Sequence, residues 1–470
     1  MKILLIILTI TLFVRVLYLG DNLFFGYEQG RDFLKLTEIA SGDPALIGPK
    51  TDIDGLFHGA FSYYSLLPSF IIFGGNPYLV LLSLILIHVV SVYFLYKFAK
   101  ELKGKKFALL TTFVYAISYS SVVYARWLSN PNLVPALAIF FLYFLQRAKN
   151  NKMLLAFVAL FWALIFHLQV IASLILLLPG AYFVVTNKLL TKRNLVPVAL
   201  VIIGVLNTYL IFNFKNDNIL LNGLTNYLDG PAPIVHDVKL DELNNEIVDD
   251  FFPQNRTMAF VLFWLVVGVN IIASRQDFGS RFILVLSFAA PFVFILLGVS
   301  PLRHLFILNP LFTSLLIANA AYFLFSKRLA ALALITILIA FAANLTTIFA
   351  RLPESNRNFI YHAQSTYLSD MENLVDYAYK DAGGAQFSYD YFSVPYWHND
   401  AWEYMFMWYG QWRYGFLPAK NRTKVYYVFI EPDETQPKYQ EDWYAKLSAG
   451  SVLLDEYTSG KLKVEKRGEK

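Results

Sequence analysis

The sequence predicts a mainly α-helical, polytopic membrane protein with a small C-terminal α/β domain. Apolar residues make up 57% of the 470-residue chain and charged residues only 16%, whereas soluble domains carry about 25% charged residues. Several apolar runs of about 18 residues or more match a hydrocarbon core that is ~30 Å thick. No acidic residue occurs between Glu101 and Asp217. The chain is therefore expected to cross the membrane many times and to keep its carboxylates in a few loops.

About eleven transmembrane helices are predicted from the apolar segments. The first segment is interpreted as a retained signal-anchor helix, because it lacks a small-residue cleavage site and is followed by ten more apolar segments. His167 and Leu168 separate two of the later segments. The predicted spans are 2–19, 78–97, 107–124, 131–147, 152–167, 169–187, 195–214, 257–274, 281–300, 304–325 and 329–350.

The distribution of charge between the loops predicts the orientation in the membrane. With a cytoplasmic N-terminus, the inner loops total 31 residues and hold 15 Lys or Arg and two acids. The outer loops total 110 residues and hold eight Lys or Arg and 15 acids. An odd number of spans then places the C-terminal domain outside. We expect a multi-pass protein of the plasma (inner) membrane with an extracytoplasmic C-terminal domain.

Two domains are predicted, a membrane domain at 1–350 and an extracytoplasmic α/β domain at 351–470. The membrane domain carries two long outer loops, 20–77 and 215–256. The C-terminal domain is polar and holds half of all the acids. Its predicted elements are a helix at 366–380 ended by Gly383-Gly384, a buried strand at 424–430, and a hairpin at 451–466 that turns at Ser459-Gly460.

Composition excludes several classes of function. The chain has no cysteine, so it has no disulfide framework, no thiolate nucleophile and no cysteine-based metal site. The net charge of +5 is spread over short loops, which is unlike the basic patch of a nucleic-acid-binding protein. No nucleic-acid partner is expected.

Loop 20–77 carries the first candidate catalytic residues. The pattern from Glu28 to Ala40 predicts an amphipathic helix at the membrane interface. Glu28 and Asp32 are four residues apart, so both carboxylates face one side of that helix. A carboxylate that is partly desolvated at the bilayer surface can act as a general base. The alternative is an ordinary solvated acid near a helix N-terminus, where the helix dipole favours it.

The same loop contains two candidate phosphate-binding residues. Lys50 can meet a phosphate as a point charge, or it can be a lysine that extends towards the lipid headgroups. His58 precedes the aromatic run Phe61-Ser62-Tyr63-Tyr64 and is either an acid-base group or a structural hydrogen-bonding residue. Asp52 and Asp54 resemble a metal-binding pair but lack a third ligand. No cofactor is therefore assigned, and participation of a divalent cation stays open.

Three further candidates stand at predicted outer helix ends. Arg126 lies before Trp127-Leu128-Ser129-Asn130-Pro131, and Arg303 and His304 lie together near residue 300. Arginine is scarce in the outer loops, and a guanidinium can hold a phosphate through two hydrogen bonds. The alternative for each arginine is interfacial anchoring. The acid-rich loop 215–256, with Asp249-Asp250, is either a lid or a solvated loop.

These motifs resemble the GT-C class of membrane glycosyltransferases, which includes protein O-mannosyltransferases and aminoarabinose transferases. The family's Asp-Glu after the first helix corresponds to Glu28-Gln29, and its basic residue before Pro-Pro-Leu-Tyr-Tyr corresponds to His58. Arg126 to Pro131, Arg303-His304 with the downstream Pro310, and the stretch 395–406 resemble later family segments. Two positions depart from the family's Asp-Glu pair. Glu28 stands where the family has Asp, and Gln29 stands where the family has Glu. Either Asp32 supplies the second carboxylate or one carboxylate suffices.

The resemblance implies an inverting transfer of a hexosyl or pentosyl group from a polyprenyl-phosphate-linked donor. The acceptor would be a hydroxyl of a lipid, glycan or protein on the outer face. In that scheme Glu28 is the base and Asp32 positions it or the acceptor. Arg126, Arg303 and His58, with His304 and Lys50, lie on the phosphate side. Fixed cations in a dry pocket would stabilise the charge of the leaving phosphate.

Other functions compete with this interpretation. A lipid-linked glycan polymerase or ligase shares the donor and the side of the membrane. A transporter or flippase also fits a polytopic chain, but proton-coupled carriers usually hold acids within their helices. No Asp or Glu lies within any predicted span. The sequence therefore favours the transferase.

Overall fold

The computed structural model describes residues 2–51, 53–229, 245–248, 255–298, 302–352 and 366–469. Helices dominate these residues up to 352. The longer ones, all rich in apolar residues except Tyr27–Ala40, are Lys2–Val16, Tyr27–Ala40, Pro77–Lys103, Lys105–Ile117, Val134–Arg147, Leu155–Leu168, Val170–Thr186, Lys192–Lys215, Ile219–Asp229, Arg256–Ser274, Phe278–Leu297, Asn309–Ser326 and Ala330–Arg351. Short helices lie at Leu19–Asn22, Phe61–Tyr64, Leu67–Ile72 and Tyr119–Ala125, and 3-10 turns lie at Asn130–Leu133, Lys152–Leu154 and Arg303–Phe306.

Six helices in the described part of the chain are long and apolar enough to cross a membrane. A seventh span is formed if the bent pair Lys105–Ile117 and Tyr119–Ala125 is one crossing. Two shorter apolar helices, Lys152–Leu168 and Val170–Thr186, follow. The polytopic helical fold is thus confirmed, while the count of eleven spans stays a prediction.

The bent pair turns by 64° at Ser118, where the backbone is extended. The bend frees backbone groups that must find other partners away from water. The buried guanidinium of Arg15 donates to the carbonyl oxygen of Ala116 at 3.1 Å and to Oγ of Ser121 at 2.9 Å. Asn344 Oδ1 accepts from the backbone of Tyr119 at 2.9 Å. These bonds stabilise the bend and fix the direction in which the chain enters the following loop.

The C-terminal region has the predicted α/β composition. The helix Leu368–Ala382 ends at Gly383, whose φ of 60° is left-handed. A four-stranded sheet has the order β3-β4-β6-β5, where β3 is Ser388–Phe392, β4 is Val425–Ile430, β5 is Ser451–Ser459 and β6 is Leu462–Glu469. Only β3 and β4 are parallel. The predicted helix, strand and hairpin are all confirmed. Further helices lie at Asp400–Met405, Gln411–Tyr414 and Pro437–Gly450, with a π-helical turn at Phe406–Gly410.

The C-terminal region packs directly on the helix Tyr27–Ala40, which we call the amphipathic helix. A Cβ atom on Gly30 would lie 2.4 Å from Cα of Ala401, so the two helices meet backbone to backbone and only glycine fits. Phe33 stacks edge-on against Tyr404 with ring centroids 5.2 Å apart. The Tyr404 hydroxyl donates to the carbonyl oxygen of Gly75 at 2.6 Å. One continuous apolar core therefore joins both predicted domains, and their partition at residue 350 stays a prediction.

The predicted loop 215–256 is described only in part. The helix Ile219–Asp229 contacts loop 53–56, because Gly55 and Gly223 meet closely enough that a Cβ on Gly223 would lie 2.9 Å from Cα of Gly55. Asp249 and Asp250 lie outside the described residues, so the proposal of a lid has no structural test there. Loop 20–77 also forms a two-stranded sheet of β1, Ile47–Lys50, and β2, Phe57–Gly59.

Candidate active site

The amphipathic helix presents both predicted carboxylates. It begins after Gly26, whose backbone N–H donates to Oε1 of Gln29 at 3.0 Å. Its buried face contains Gln29, Gly30, Asp32 and Phe33. The predicted helix from Glu28 to Ala40 is confirmed within one residue. Glu28 is half-buried and Asp32 is buried, so the two acids occupy different environments on one helix.

Gln29 has a structural role at the position where the resembling family has an acid. Its Nε2 donates to the carbonyl oxygen of Leu128 at 2.8 Å while its Oε1 accepts from Gly26. An ionised carboxylate has no proton to donate to a carbonyl, so glutamate at this position would lose the bond to Leu128. The side chain ties the amphipathic helix to the loop that follows Arg126. Glutamine can make both contacts at once, which an ionised glutamate cannot.

Asp32 forms an ion pair with its neighbour Arg31. Arg31 Nη2 lies 2.8 Å from Asp32 Oδ1, and Arg31 Nε donates to the same oxygen at 2.9 Å. Burial raises the pKa of Asp32 to about 6 although the Arg31 charge opposes the shift; the negative charges of Glu28 and Asp400 add to the rise. Asp32 is therefore ionised at neutral pH and changes charge just below it.

Arg31 stands at the centre of the charged groups. Burial by itself would lower its pKa, but the charges of Asp32 and Glu28 raise the pKa above its ordinary value. Its guanidinium carbon lies 5.4 Å from the centroid of the Tyr27 ring. Arg31 is thus a permanent cation held between two carboxylates and an aromatic face.

Glu28 lies beside the loop that follows the bent span. Ser129 Oγ donates to Glu28 Oε2 at 3.5 Å, the long limit of a hydrogen bond. The Asn130 amide donates to the carbonyl oxygen of Leu168 at 3.0 Å. The same loop therefore links Glu28 to the break between the helices Leu155–Leu168 and Val170–Thr186. This break, predicted at His167-Leu168, is confirmed at Gln169.

His58 interacts electrostatically with Arg31 and His304. It lies on β2, and burial lowers its pKa to about 4, with further lowering by the charges of Arg31 and His304; a hydrogen bond at the backbone of Leu168 opposes the shift. Its Nδ1 is buried and has no hydrogen-bond partner among the described residues. Nδ1 is therefore a buried polar atom whose hydrogen-bonding capacity is unused.

His304 is held near His58 by the break at Gln169. Gln169 Nε2 donates to the backbone carbonyl oxygen of His304 at 2.9 Å. His304 lies on the 3-10 turn Arg303–Phe306, and its charge lowers the pKa of His58, after burial and Arg31. The structure thus brings Arg31 and His58, from two elements of loop 20–77, together with the distant His304. The Arg303 side chain is outside the described part of the structure.

Arg126 does not join this group. Its Nη1 donates to the carbonyl oxygens of Arg15, at 3.1 Å, and Leu17, and its Nη2 donates to Asn22 Oδ1. The residue is only 3% exposed. These bonds occupy both terminal nitrogens and fasten the end of the first helix. Nε of Arg126 is buried without a hydrogen-bond partner among the described residues. The structure thus shows a structural role for the two terminal nitrogens, and phosphate binding by Arg126 stays a prediction.

Lys50 is also placed away from a buried pocket. Its side chain is 67% exposed, and its Nζ lies 3.7 Å from Oδ1 of Asp54. An exposed ion pair of this kind contributes little energy. The contacts of Lys50 therefore give no support for a desolvated phosphate site. Asp52 lies outside the described residues.

The described residues do not assemble a metal site. No group of three or more His, Asp or Glu side chains within them is arranged to hold a metal ion. Asp32 is engaged by Arg31 and Asp54 by Lys50. Participation of a divalent cation stays a prediction.

A cleft opens beside the charged group. It has a volume of about 740 Å³ and runs between the amphipathic helix and the segment 400–407, with Arg31 and Tyr63 in its wall. Asp400 contributes to its lining and raises the pKa of Asp32. Sequence reasoning missed Arg31 and Asp400. The scarcity of arginine in the outer loops pointed to Arg31, but no local pattern pointed to Asp400, which is 368 positions after Asp32.

The fold matches solved glycosyltransferase structures. ArnT from Cupriavidus metallidurans bound to undecaprenyl phosphate aligns with a TM-score of 0.62 and 10% identity, over 98% of this chain and 97% of that chain. The Archaeoglobus fulgidus oligosaccharyltransferase tethered with an acceptor peptide aligns with a TM-score of 0.55 and 14% identity, over 85% of this chain and 62% of that chain. No family model and no curated protein sequence matches. The resemblance to the GT-C class is therefore confirmed at the level of the fold.

Proposed function

We propose that this protein is a GT-C glycosyltransferase that uses a polyprenyl-phosphate-linked sugar donor. The observation that carries the proposal is the meeting of Glu28 and Asp32 with the basic residues Arg31, His58 and His304. Transfer from such a donor needs a base for the acceptor hydroxyl and cations for the leaving phosphate. The site supplies both kinds of group next to a cleft.

The structural neighbours support this donor class. ArnT was solved with undecaprenyl phosphate, and the archaeal oligosaccharyltransferase was solved with an acceptor peptide. Fold similarity alone does not transfer a reaction between proteins, since one fold hosts many functions. The proposal therefore depends on the charged groups of this chain.

The phosphate side is assigned to Arg31, His58 and His304. Arg31 is the permanent charge of the three. His58 offers an unpartnered Nδ1, and an adjacent phosphate would raise its pKa by favouring the protonated ring. Arg303 keeps its proposed role, being next to His304 in sequence. Arg126 and Lys50 are left out because of the contacts described above.

Glu28 is assigned as the general base. The acceptor hydroxyl gives its proton to the Glu28 carboxylate while its oxygen forms a bond to the anomeric carbon. The bond from that carbon to the phosphate oxygen breaks, and the polyprenyl phosphate leaves with the bonding electrons. Attack from the face opposite the phosphate inverts the anomeric centre.

Asp32 is assigned as a positioning residue. Its carboxylate holds the guanidinium of Arg31 at 2.8 Å, so its role is to orient the cation and to maintain the field around Glu28. A transferred hexosyl or pentosyl group and a lipid, glycan or protein hydroxyl are all compatible with this arrangement. A lipid-linked glycan polymerase or ligase would use the same donor chemistry.

The reaction is placed on the outer face of the plasma membrane. The excess of Lys and Arg in the predicted inner loops supports a cytoplasmic N-terminus. The amphipathic helix, β2 and the C-terminal sheet would then lie outside the cell. Lipid-linked donors meet this face from within the bilayer, which suits a site at the ends of several apolar helices.

The test is donor turnover in proteoliposomes. Purified protein is mixed with undecaprenyl-phosphate-linked hexoses and pentoses and a crude envelope acceptor fraction, and released undecaprenyl phosphate is quantified. We expect release with at least one donor and an inverted anomeric configuration in the product. Absence of release with every donor, or release by Glu28→Gln at the wild-type rate, would overturn the proposal.

A further inference from the structure

The 740 Å³ cleft has a wall chemistry that indicates its occupant. Its charged lining consists of two cations and four acids: Arg31, Lys35, Glu38, Asp43, Asp400 and Glu403. Thr37, Ser41 and Tyr63 add hydroxyl groups, and Leu34 and Met407 are apolar. The cleft is large enough to hold several sugar rings or a drug-sized ligand.

Both cations of the lining are already neutralised by carboxylates. Lys35 Nζ lies 2.7 Å from Glu38 Oε2 and 3.4 Å from Asp43 Oδ2. Arg31 is paired with Asp32. Lys35 is therefore engaged by two acids, and Arg31 is the cation assigned to the donor phosphate, so neither is left to hold a charged group of the acceptor.

Two acids of the lining remain uncompensated. Glu403 is exposed and has no ion-pair partner among the described residues. Asp400 has His398 Nδ1 at 3.6 Å, a partner that is charged only when protonated. Anionic ligands would meet like charge here, whereas carboxylates accept hydrogen bonds from hydroxyl and amine groups.

The cleft is continuous with the proposed catalytic groups. Arg31 and Tyr63 belong to its wall. Burial raises the pKa of the Tyr63 phenol, the charge of Asp32 adds to the rise, and the charge of Arg31 opposes it. The negative charge of Asp400 likewise raises the pKa of Asp32. A ligand in the cleft would therefore lie beside the helix that carries Glu28, as an acceptor must.

We propose that this cleft binds the acceptor, and that the acceptor segment bound there is a polyhydroxylated sugar chain without negative charge. The proposal rests on the proposed function and narrows its acceptor class. Asp400 and Glu403 select against phosphorylated or uronic-acid-bearing chains by repulsion, and they accept hydrogen bonds from sugar hydroxyls or amines. The donor phosphate is assigned to Arg31, His58 and His304, of which Arg31 alone belongs to the cleft wall.

The experiment measures saccharide binding to the full chain in nanodiscs by calorimetry. The probes are maltotriose, an amine-bearing chitosan trisaccharide, and trigalacturonate. We expect the first two to bind wild-type protein and trigalacturonate to bind at least about tenfold more weakly. Glu403→Lys should weaken chitosan-trisaccharide binding about tenfold and strengthen trigalacturonate binding, and Glu403→Gln should have a smaller effect in the same direction.

Glu441→Lys is the matched control, since it makes the same exchange at an exposed residue of the helix Pro437–Gly450, outside the cleft lining. Equal binding of trigalacturonate and maltotriose to wild-type protein, unchanged affinities in Glu403→Lys, or binding of none of the three probes would overturn the proposal.

Undecaprenyl phosphate binding is measured in the same preparation. If that lipid binds and the saccharides fail, only the acceptor assignment falls; if the lipid fails, the proposed function falls.

Discussion

Half-buried Arg31 and buried Asp32, adjacent in sequence, form an ion pair with Nη2 and Oδ1 2.8 Å apart, at the point where the C-terminal region meets the amphipathic helix. Asp400 brings a second negative charge to this pair from the C-terminal region. The pair therefore couples the proposed donor side, through Arg31 and His58, to the cleft. The protonation state of Asp32 should therefore control activity.

Activity should rise with pH through the pKa of Asp32. The pKa of Asp32 in the folded protein is about 6, above its ordinary value of 3.8. Protonated Asp32 therefore stabilises the folded state at pH values below 3.8, and this stabilisation is lost as the pH rises through about 6. The ionised form that holds Arg31 accumulates over the same window. We expect kcat/KM to rise between about pH 5 and 7. Asp32→Asn should retain partial activity and lose that rise, and an unaltered profile would remove Asp32 from the mechanism.

Glu28→Gln should abolish transfer while leaving the fold intact. The side chain is half-buried, and the hydrogen bond that Ser129 Oγ donates to it is long at 3.5 Å, so an amide of nearly the same shape should be accommodated. Loss of a general base costs about 10²–10⁴-fold in rate. The check is initial rate in proteoliposomes beside a thermal unfolding curve. Glu441→Gln, an exposed acid outside the site, is the control and should match wild type.

His58→Gln should weaken binding of undecaprenyl phosphate. Glutamine can keep a hydrogen bond at Leu168 but cannot carry a positive charge towards the phosphate. We expect a loss of about tenfold in affinity, as for removal of one charge-assisted hydrogen bond. Lys50→Gln is the comparison, because Lys50 is exposed and paired with Asp54. Equal losses in both variants would contradict the assignment of the phosphate side.

Arg126→Ala should lower stability and spare donor affinity. The substitution removes donors from the carbonyl oxygens of Arg15 and Leu17 and from Asn22, and each buried acceptor left unpaired costs about 1–3 kcal/mol. We expect Tm in detergent to fall clearly while the folded fraction keeps its donor KM. Arg193→Ala, at an exposed arginine, should change neither. A raised donor KM with unchanged Tm would restore Arg126 to the phosphate site.

Gly30→Ala should loosen the C-terminal region from the amphipathic helix. The new methyl group would lie 2.4 Å from backbone atoms of Ala401, and such overpacking costs about 1–3 kcal/mol. Hydrogen exchange across the segment 400–407 should speed up and transfer should fall. Gly204→Ala is the control, because nothing lies within 4 Å of its added Cβ. Unchanged exchange in Gly30→Ala would contradict the close packing.

Local pattern was enough to predict most of the elements near the site. The amphipathic helix, the break at Gln169 and the C-terminal helix, strand and hairpin all follow from periodicity, turn residues and glycine positions. The candidate bases Glu28 and Asp32 came from their four-residue spacing. For Arg126 the sequence shows that an arginine is at a helix end, but not that the carbonyl oxygens of Arg15 and Leu17 accept hydrogen bonds from it.

The sequence by itself determined that this chain is a polytopic helical membrane protein with a mixed C-terminal region, because apolar length, charge placement and turn chemistry are local properties of the chain. Only the tertiary structure decided which charges act together. Arg31, His58, His304 and Asp400 come from four separate segments, and they meet because the break at Gln169, the two-stranded sheet and the Gly30–Ala401 contact bring those segments to one place. Electrostatic interaction depends on distance in space, which no spacing along the chain reveals.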